Sequence, residues 1–246
     1  MALQEELERS GSWLFRWRSY LPLALIGVVL LTMREYRYAG DSEILDHLWE
    51  TACLLVSFFG LGIRIFTVGH TPKATSGRNT KGQVADTLNT TGLYSVVRHP
   101  LYLGNFFMFL GVILFVCVWW LTLMYILAFW LYYERIMFAE EAFLRKKFGD
   151  EYLTWANNTP AFIPRFRNYR GPDLPFSLKK VLKKEYHGFM AVIVTMFILE
   201  QFGEIAMSEE FHLDTHWVVL LSFGFVVWAT LRILKKGTTL LNEHGR

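Results

Sequence analysis

Charge is scarce in this chain. Only 19% of its 246 residues are Asp, Glu, Lys or Arg, and the 35 consecutive positions between Arg98 and Glu134 hold none of them. A buried helix of a soluble protein seldom runs uncharged beyond about 14 residues, so this block argues against a water-soluble domain. Cysteine is scarcer still: Cys53 and Cys117 each lie inside an apolar block, where a small buried hydrophobe is expected and no disulfide. The seven histidines form no HExxH pattern and no Cys/His cluster, so no metal site is expected. A net charge of +3, dispersed and without a basic stripe of stacking aromatics, gives no reason to expect nucleic acid. The start of the chain, with Glu5, Glu6 and Glu8, lacks the basic region and small-residue site of a cleaved signal, so no processing is expected.

What the chain has is apolar and aromatic: 53% hydrophobic and 17% Phe, Trp or Tyr, gathered in blocks. The expected fold class is all-α, a polytopic membrane bundle of about six transmembrane helices with a helical hairpin and a cytoplasmic pocket. Crossing a hydrocarbon core of about 30 Å takes about 20 residues at 1.5 Å each. Spans are expected at Tyr20 to Met33, Ile44 to Val68, Tyr186 to Met207 and His216 to Leu234, with two more from the uncharged block. One helix through that block would reach roughly 50 Å, so a fold-back is expected near Cys117 to Leu121.

Charge in the connections sets an orientation. Segment 69–99 carries Lys73, Arg78, Lys81 and Arg98, and segment 139–185 carries ten Lys or Arg, whereas the opposite loops hold only Arg34 and Arg37. Both termini are expected in the cytoplasm, in a bacterial inner membrane or the endoplasmic reticulum. The sequons Asn89-Thr90-Thr91 and Asn157-Asn158-Thr159 would then escape glycosylation. Pro172 to Glu185 interleaves Leu, Phe and Val with four lysines, as an interfacial helix or a basic linker does. Glu200 and Glu204 read as interfacial, solvated acids.

Two stretches could carry chemistry. In GLYSVVRHPLYLGN, Gly92 to Asn105, Pro100 fits the first turn of a helix whose entrance leaves backbone N–H groups free. Arg98 and His99 beside them could hold a carboxylate or phosphate, and Tyr94 and Tyr102 offer ring faces to a cation or a flat base. An anion with a cation nearby describes S-adenosylmethionine; the plainer reading is that Arg and His mark the positive side and Tyr the interface. The second stretch, Tyr132 to Tyr152, contains the adjacent Glu140 and Glu141, which could meet an amino group or sulfonium or simply end a solvated helix.

Together these stretches resemble the isoprenylcysteine carboxyl methyltransferase and phospholipid methyltransferase superfamily of integral membrane enzymes. The resemblance covers about Thr87 to Pro164, through Gly92-Leu93-Tyr94, Arg98 to Gly104, Glu140 to Leu144, Phe148 to Tyr152 and the spaced Pro160 and Pro164. It implies S-adenosylmethionine as cofactor, lined by Asp86, Thr87, Leu88 and Asn89 and cradled by Tyr94, Arg98, His99, Pro100, Leu101, Tyr102 and Glu140. It also implies a catalytic group of Arg135, Glu140 and Glu141. Many members place an acceptor-associated arginine four residues before the first glutamate; here that position is Ile136, and Arg135 lies five before Glu140. The implied division is an N-terminal interfacial segment with two spans (1–85), the methyltransferase core (86–170), and a basic segment with two further spans (171–246).

The expected reaction is methyl transfer to a membrane lipid or lipidated acceptor with an anionic carboxylate or phosphate head. Phosphatidylethanolamine N-methylation is the close alternative. Sterol reductases of membranes share a similar Arg-His-Pro region and bind a reduced nicotinamide nucleotide, and a nonenzymatic scaffold is the third reading. Oligomeric state is left open.

Overall fold

A computed structural model describes residues 3–18, 20, 22–36, 42–72, 83–208 and 213–243 of the chain. Lys73, Arg78, Lys81 and Arg37, which entered the orientation argument, lie outside the described residues. Eight α-helices follow in order: α1 Leu3–Trp17, α2 Pro22–Thr32, α3 Glu43–His70, α4 Pro100–Phe115, α5 Trp119–Phe148, α6 Asp150–Asn158, α7 Leu178–Ser208 and α8 Thr215–Gly237. The described residues hold no named strand, only an isolated antiparallel bridge between Gly92 and Arg170.

Four helices, α3, α5, α7 and α8, are long and apolar enough to cross a membrane. Among the described residues the expected count of six is therefore corrected to four, for reasons of length. Helix α4 has 16 residues because Pro100 fixes its start, which gives about 24 Å, and the 11 residues of α2 give about 17 Å, against a core of about 30 Å. The fold-back falls where expected: Cys117 takes a left-handed φ of 59° between α4 and α5. Two other expectations also change. Leu178 to Glu185 is the start of the continuous 31-residue helix α7, not a separate interfacial helix, and Lys180 and Glu185 there are buried. Glu200 is not solvated but 2% exposed.

The bundle centres on α3 and α4, whose backbones approach through small residues. A Cβ on Gly60 would strike Gly104 O and Met108 N, one on Gly104 would strike the Arg64 side chain, and one on Gly111 would strike Cys53 O and Ser57 Oγ. Ser57 Oγ donates to Met108 O (2.8 Å) and Trp49 Nε1 to Leu114 O (2.9 Å), so side chains tie the contact at its middle and at one end. Helix α5 returns alongside α4, with Tyr125 OH donating to Phe106 O at 2.8 Å. The aromatic rings of Phe106, Tyr125, Phe129 and Tyr133 fill the space between them. Amphipathic α1 lies on the far part of α5, where Gly11 abuts Arg135 O and Ala139.

Candidate active site

Where α4 begins, the chain supplies charged groups from three directions. His99 precedes Pro100, the first residue of α4, and its carbonyl accepts from Tyr102 N and Leu103 N, both at 3.1 Å. The loop before it is fixed from outside: Arg98 N donates to Pro160 O (2.8 Å), Arg165 N to Val96 O (2.9 Å) and Gly92 N to Arg170 O (3.0 Å). Gly92 sits at φ 61°, a left-handed conformation that favours glycine and turns the chain into the Leu93–Ser95 turn. Trp155 of α6 donates to Tyr94 O at 2.9 Å, so α6 clamps the same loop. The motif residues are thus held by backbone bonds to a segment 62 to 78 positions later in the chain.

At the far part of α5, Glu140 and Glu141 meet this loop. His99 Nε2 donates to Glu141 Oε1 at 2.9 Å, and its Nδ1 lies 3.6 Å from Glu140 Oε2. Arg98 Nε is 3.1 Å from Glu141 Oε1, and Arg98 Nη1 donates to Ala156 O at 3.3 Å. Tyr102 OH donates to Glu140 Oε1 at 2.6 Å, with its ring stacked 5.7 Å from that of His99. His99 is buried, and burial alone would lower its pKa. The hydrogen bonds and charges of Glu140 and Glu141 outweigh that and raise it above the usual 6.5. Both ring nitrogens face carboxylates, an arrangement that stabilises the imidazolium relative to the neutral ring.

Two arginines that the sequence motifs did not single out complete the site. Arg18, just past α1, brings Nη1 to 3.9 Å from Glu140 Oε1 and lies over the Phe15 ring. Arg64 of α3 makes a two-pronged pair with Glu185 of α7 (Nε to Oε2 2.8 Å, Nη2 to Oε1 3.0 Å) and donates from Nη1 to Asn105 Oδ1 at 2.6 Å. Asn105 Nδ2 donates on to Tyr133 OH at 3.3 Å, and the Tyr133 ring lies 4.7 Å from Tyr102. One connected polar network therefore runs from α7 through α3 and α4 to α5. The only sequence sign of Arg64 was a cation inside an otherwise apolar span.

Of the residues singled out in the sequence, Arg98, His99, Tyr102, Glu140 and Glu141 come together in one cluster. Pro100 and Leu101 form the helix start beneath it, and Tyr94 lies in the clamped loop. Asp86 and Thr87 are exposed and Leu88 and Asn89 half-buried; their segment is tied to α5 by Lys147 Nζ, which donates to Ala85 O. Arg135 is exposed and makes no ion pair with the cluster among the described residues, because the fully buried Ile136 occupies the inward position next to it. Beside the clamped loop opens a cleft of about 750 Å³, lined by Thr90, Ser95, Trp155, Thr159, Arg167 and Arg170 among others.

The profile of the family described as phospholipid methyltransferase matches residues 49–151, the span that holds every member of the cluster except Arg18 and Glu185. The nickel-cobalt-cadmium resistance protein NccN of Alcaligenes xylosoxydans xylosoxydans is 33% identical over 159 residues, 65% of this chain and 70% of that protein. The chain belongs to the isoprenylcysteine and phospholipid methyltransferase superfamily. A second relative, the cobalt-zinc-cadmium resistance protein CzcN of Cupriavidus metallidurans, is 36% identical over 51% of this chain and 56% of its own length. The protein-S-isoprenylcysteine O-methyltransferase of Schizosaccharomyces pombe is 36% identical over 77 residues, 31% of this chain and 33% of its own. The chain thus spans a little over half of one of these relatives and a third of another. No solved structure matches it. Superfamily membership implies a methyl donor, and the apolar helices make this member an integral membrane protein.

Proposed function

We propose that this protein transfers a methyl group from S-adenosylmethionine to a lipid-like acceptor with an anionic carboxylate or phosphate head, from a site open to the cytoplasm. The observation that carries the reading is the convergence of His99 and Glu140, 3.6 Å apart, from two motifs 41 positions apart in the sequence. The donor set fits the cofactor. Glu140 and Glu141 suit its amino group and sulfonium, and Arg98 and His99 suit its carboxylate. The bound cofactor supplies an activated methyl group, so the protein's work is alignment and electrostatics.

In this reading His99 and Arg98 hold Glu141, and Tyr102, Arg18 and His99 hold Glu140, so both carboxylates are aimed before any ligand arrives. With His99 protonated, four cations (Arg18, Arg64, Arg98, His99) face three carboxylates (Glu140, Glu141, Glu185). These cations are of the kind that pairs with an anionic head. An anionic nucleophile also needs no base, whereas an amine would have to lose a proton to a group already engaged with cations. In this reading Arg18, beside Glu140, meets such a head in place of the exposed Arg135.

Calorimetry on the full chain in detergent tests the cofactor assignment. S-adenosylhomocysteine is expected to bind, and His99→Ala and Glu140→Gln to weaken it at least about tenfold while the protein stays in the membrane fraction. Binding of a reduced nicotinamide nucleotide and not of S-adenosylhomocysteine would overturn the reading in favour of a reductase.

A further inference from the structure

At the opposite end of α3 from Arg64, a second group of ligating side chains meets, which no motif in the chain foreshadows. Ligand atoms of His47 in α3, and of Asp214 and His216 at the start of α8, all lie within 4.8 Å of one another. Between the histidines sits Glu50, whose Oε2 is 3.4 Å from His47 Nδ1 and 3.6 Å from His216 Nε2. The two rings meet edge to face, centroids 5.0 Å apart. Trp217 Nε1 donates to the same Glu50 oxygen at 3.3 Å and is itself wedged against Phe115. Glu50 is 3% exposed and lies against the equally buried carboxyl of Glu200.

We propose that His47, Glu50, Asp214 and His216 form a binding site for a divalent transition-metal ion of the zinc, cobalt or nickel kind. Donors bound at 2.0–2.1 Å in a tetrahedron lie about 3.4 Å from one another, and the two edges from Glu50 to the imidazoles already have nearly that length. Asp214 offers a carboxylate oxygen within 4.8 Å of ligand atoms of both histidines. Two imidazoles select a borderline metal over calcium or magnesium, and two carboxylates neutralise its charge. Trp217 holds the metal-facing carboxylate oxygen, the kind of outer hydrogen bond that orients ligands. Because α8 packs chiefly on α7, a metal held here also staples α8 to α3. Glu50 and Arg64 are 14 residues apart on α3, roughly 21 Å along the axis, so this site is separate from the methyl-transfer cluster.

The test uses the full chain, stripped with a chelator and titrated with zinc, nickel or cobalt ions alone. One ion per chain is expected, with cobalt giving the visible bands of four-coordinate geometry and the metal raising the melting temperature. The double variant His47→Ala/His216→Ala and the isosteric Asp214→Asn should each bind at least about tenfold more weakly. S-adenosylhomocysteine affinity should be unchanged in both, which also establishes that they fold. A control, His70→Ala at the other end of α3, should bind metal as wild type does. Absence of saturable binding of all three ions, or undiminished one-to-one binding in the double variant, would overturn the site and leave two histidines merely ion-paired with Glu50.

Discussion

His99 is the residue on which the motif turns, and its chemistry follows from its neighbours. Its raised pKa means the imidazolium contributes stability that is fully present below pH 6.5 and is lost as pH rises through the higher folded-state value. The ring resonance of His99, assigned with a His99→Gln variant, should therefore titrate above 6.5, and Glu141→Gln should move its midpoint down. A midpoint at or below 6.5 in the unsubstituted protein would contradict the pairing. At this scale much of the site was legible: Arg98, His99, Tyr102, Glu140 and Glu141 belong to contiguous motifs, and contiguous motifs are visible in a string. Arg18, Arg64 and Glu185 were not, because each reaches the cluster from a helix whose own pattern speaks only of spans and interfaces. His47 and His216 escaped notice for the same reason, being 169 positions apart.

Among the helices, the pair α3 and α4 sets the geometry, since Gly104 lets α4 lie against the Arg64 side chain and so delivers Asn105 to it. Gly104→Leu should force these backbones apart and cost about 1–3 kcal/mol, read as a lowered melting temperature together with weaker S-adenosylhomocysteine binding. An unshifted melting temperature would mean that the helices are not in close contact there. The fold-back at Cys117 could be foreseen from length alone, because no single helix of 35 uncharged residues fits a bilayer. The span count could not: hydropathy marks apolar stretches without showing that Pro100 shortens one and that α2 closes after 11 residues. Nor could it show that the basic stretch before Tyr186 is already α7, because Lys180 finds Thr71 and Pro72 carbonyls and Glu185 finds Arg64 only once the bundle is assembled.

Across the whole molecule, the bundle joins two environments at one end. Exposed apolar side chains on α5 and α8, such as Leu127, Trp130, Phe223 and Val226, face outward as lipid-contacting surface, while the charged cluster lies where α4 starts and α5 emerges. In the proposed function a greasy acceptor and a water-soluble donor meet there. The most direct measurement is to incubate the full chain in lipid bilayers with methyl-labelled S-adenosylmethionine and follow the label into extracted lipids. The account predicts label in a lipid bearing an anionic head, lost with His99→Ala and with Glu140→Gln. Label that persists in both variants, or never enters the lipid fraction at all, would contradict it.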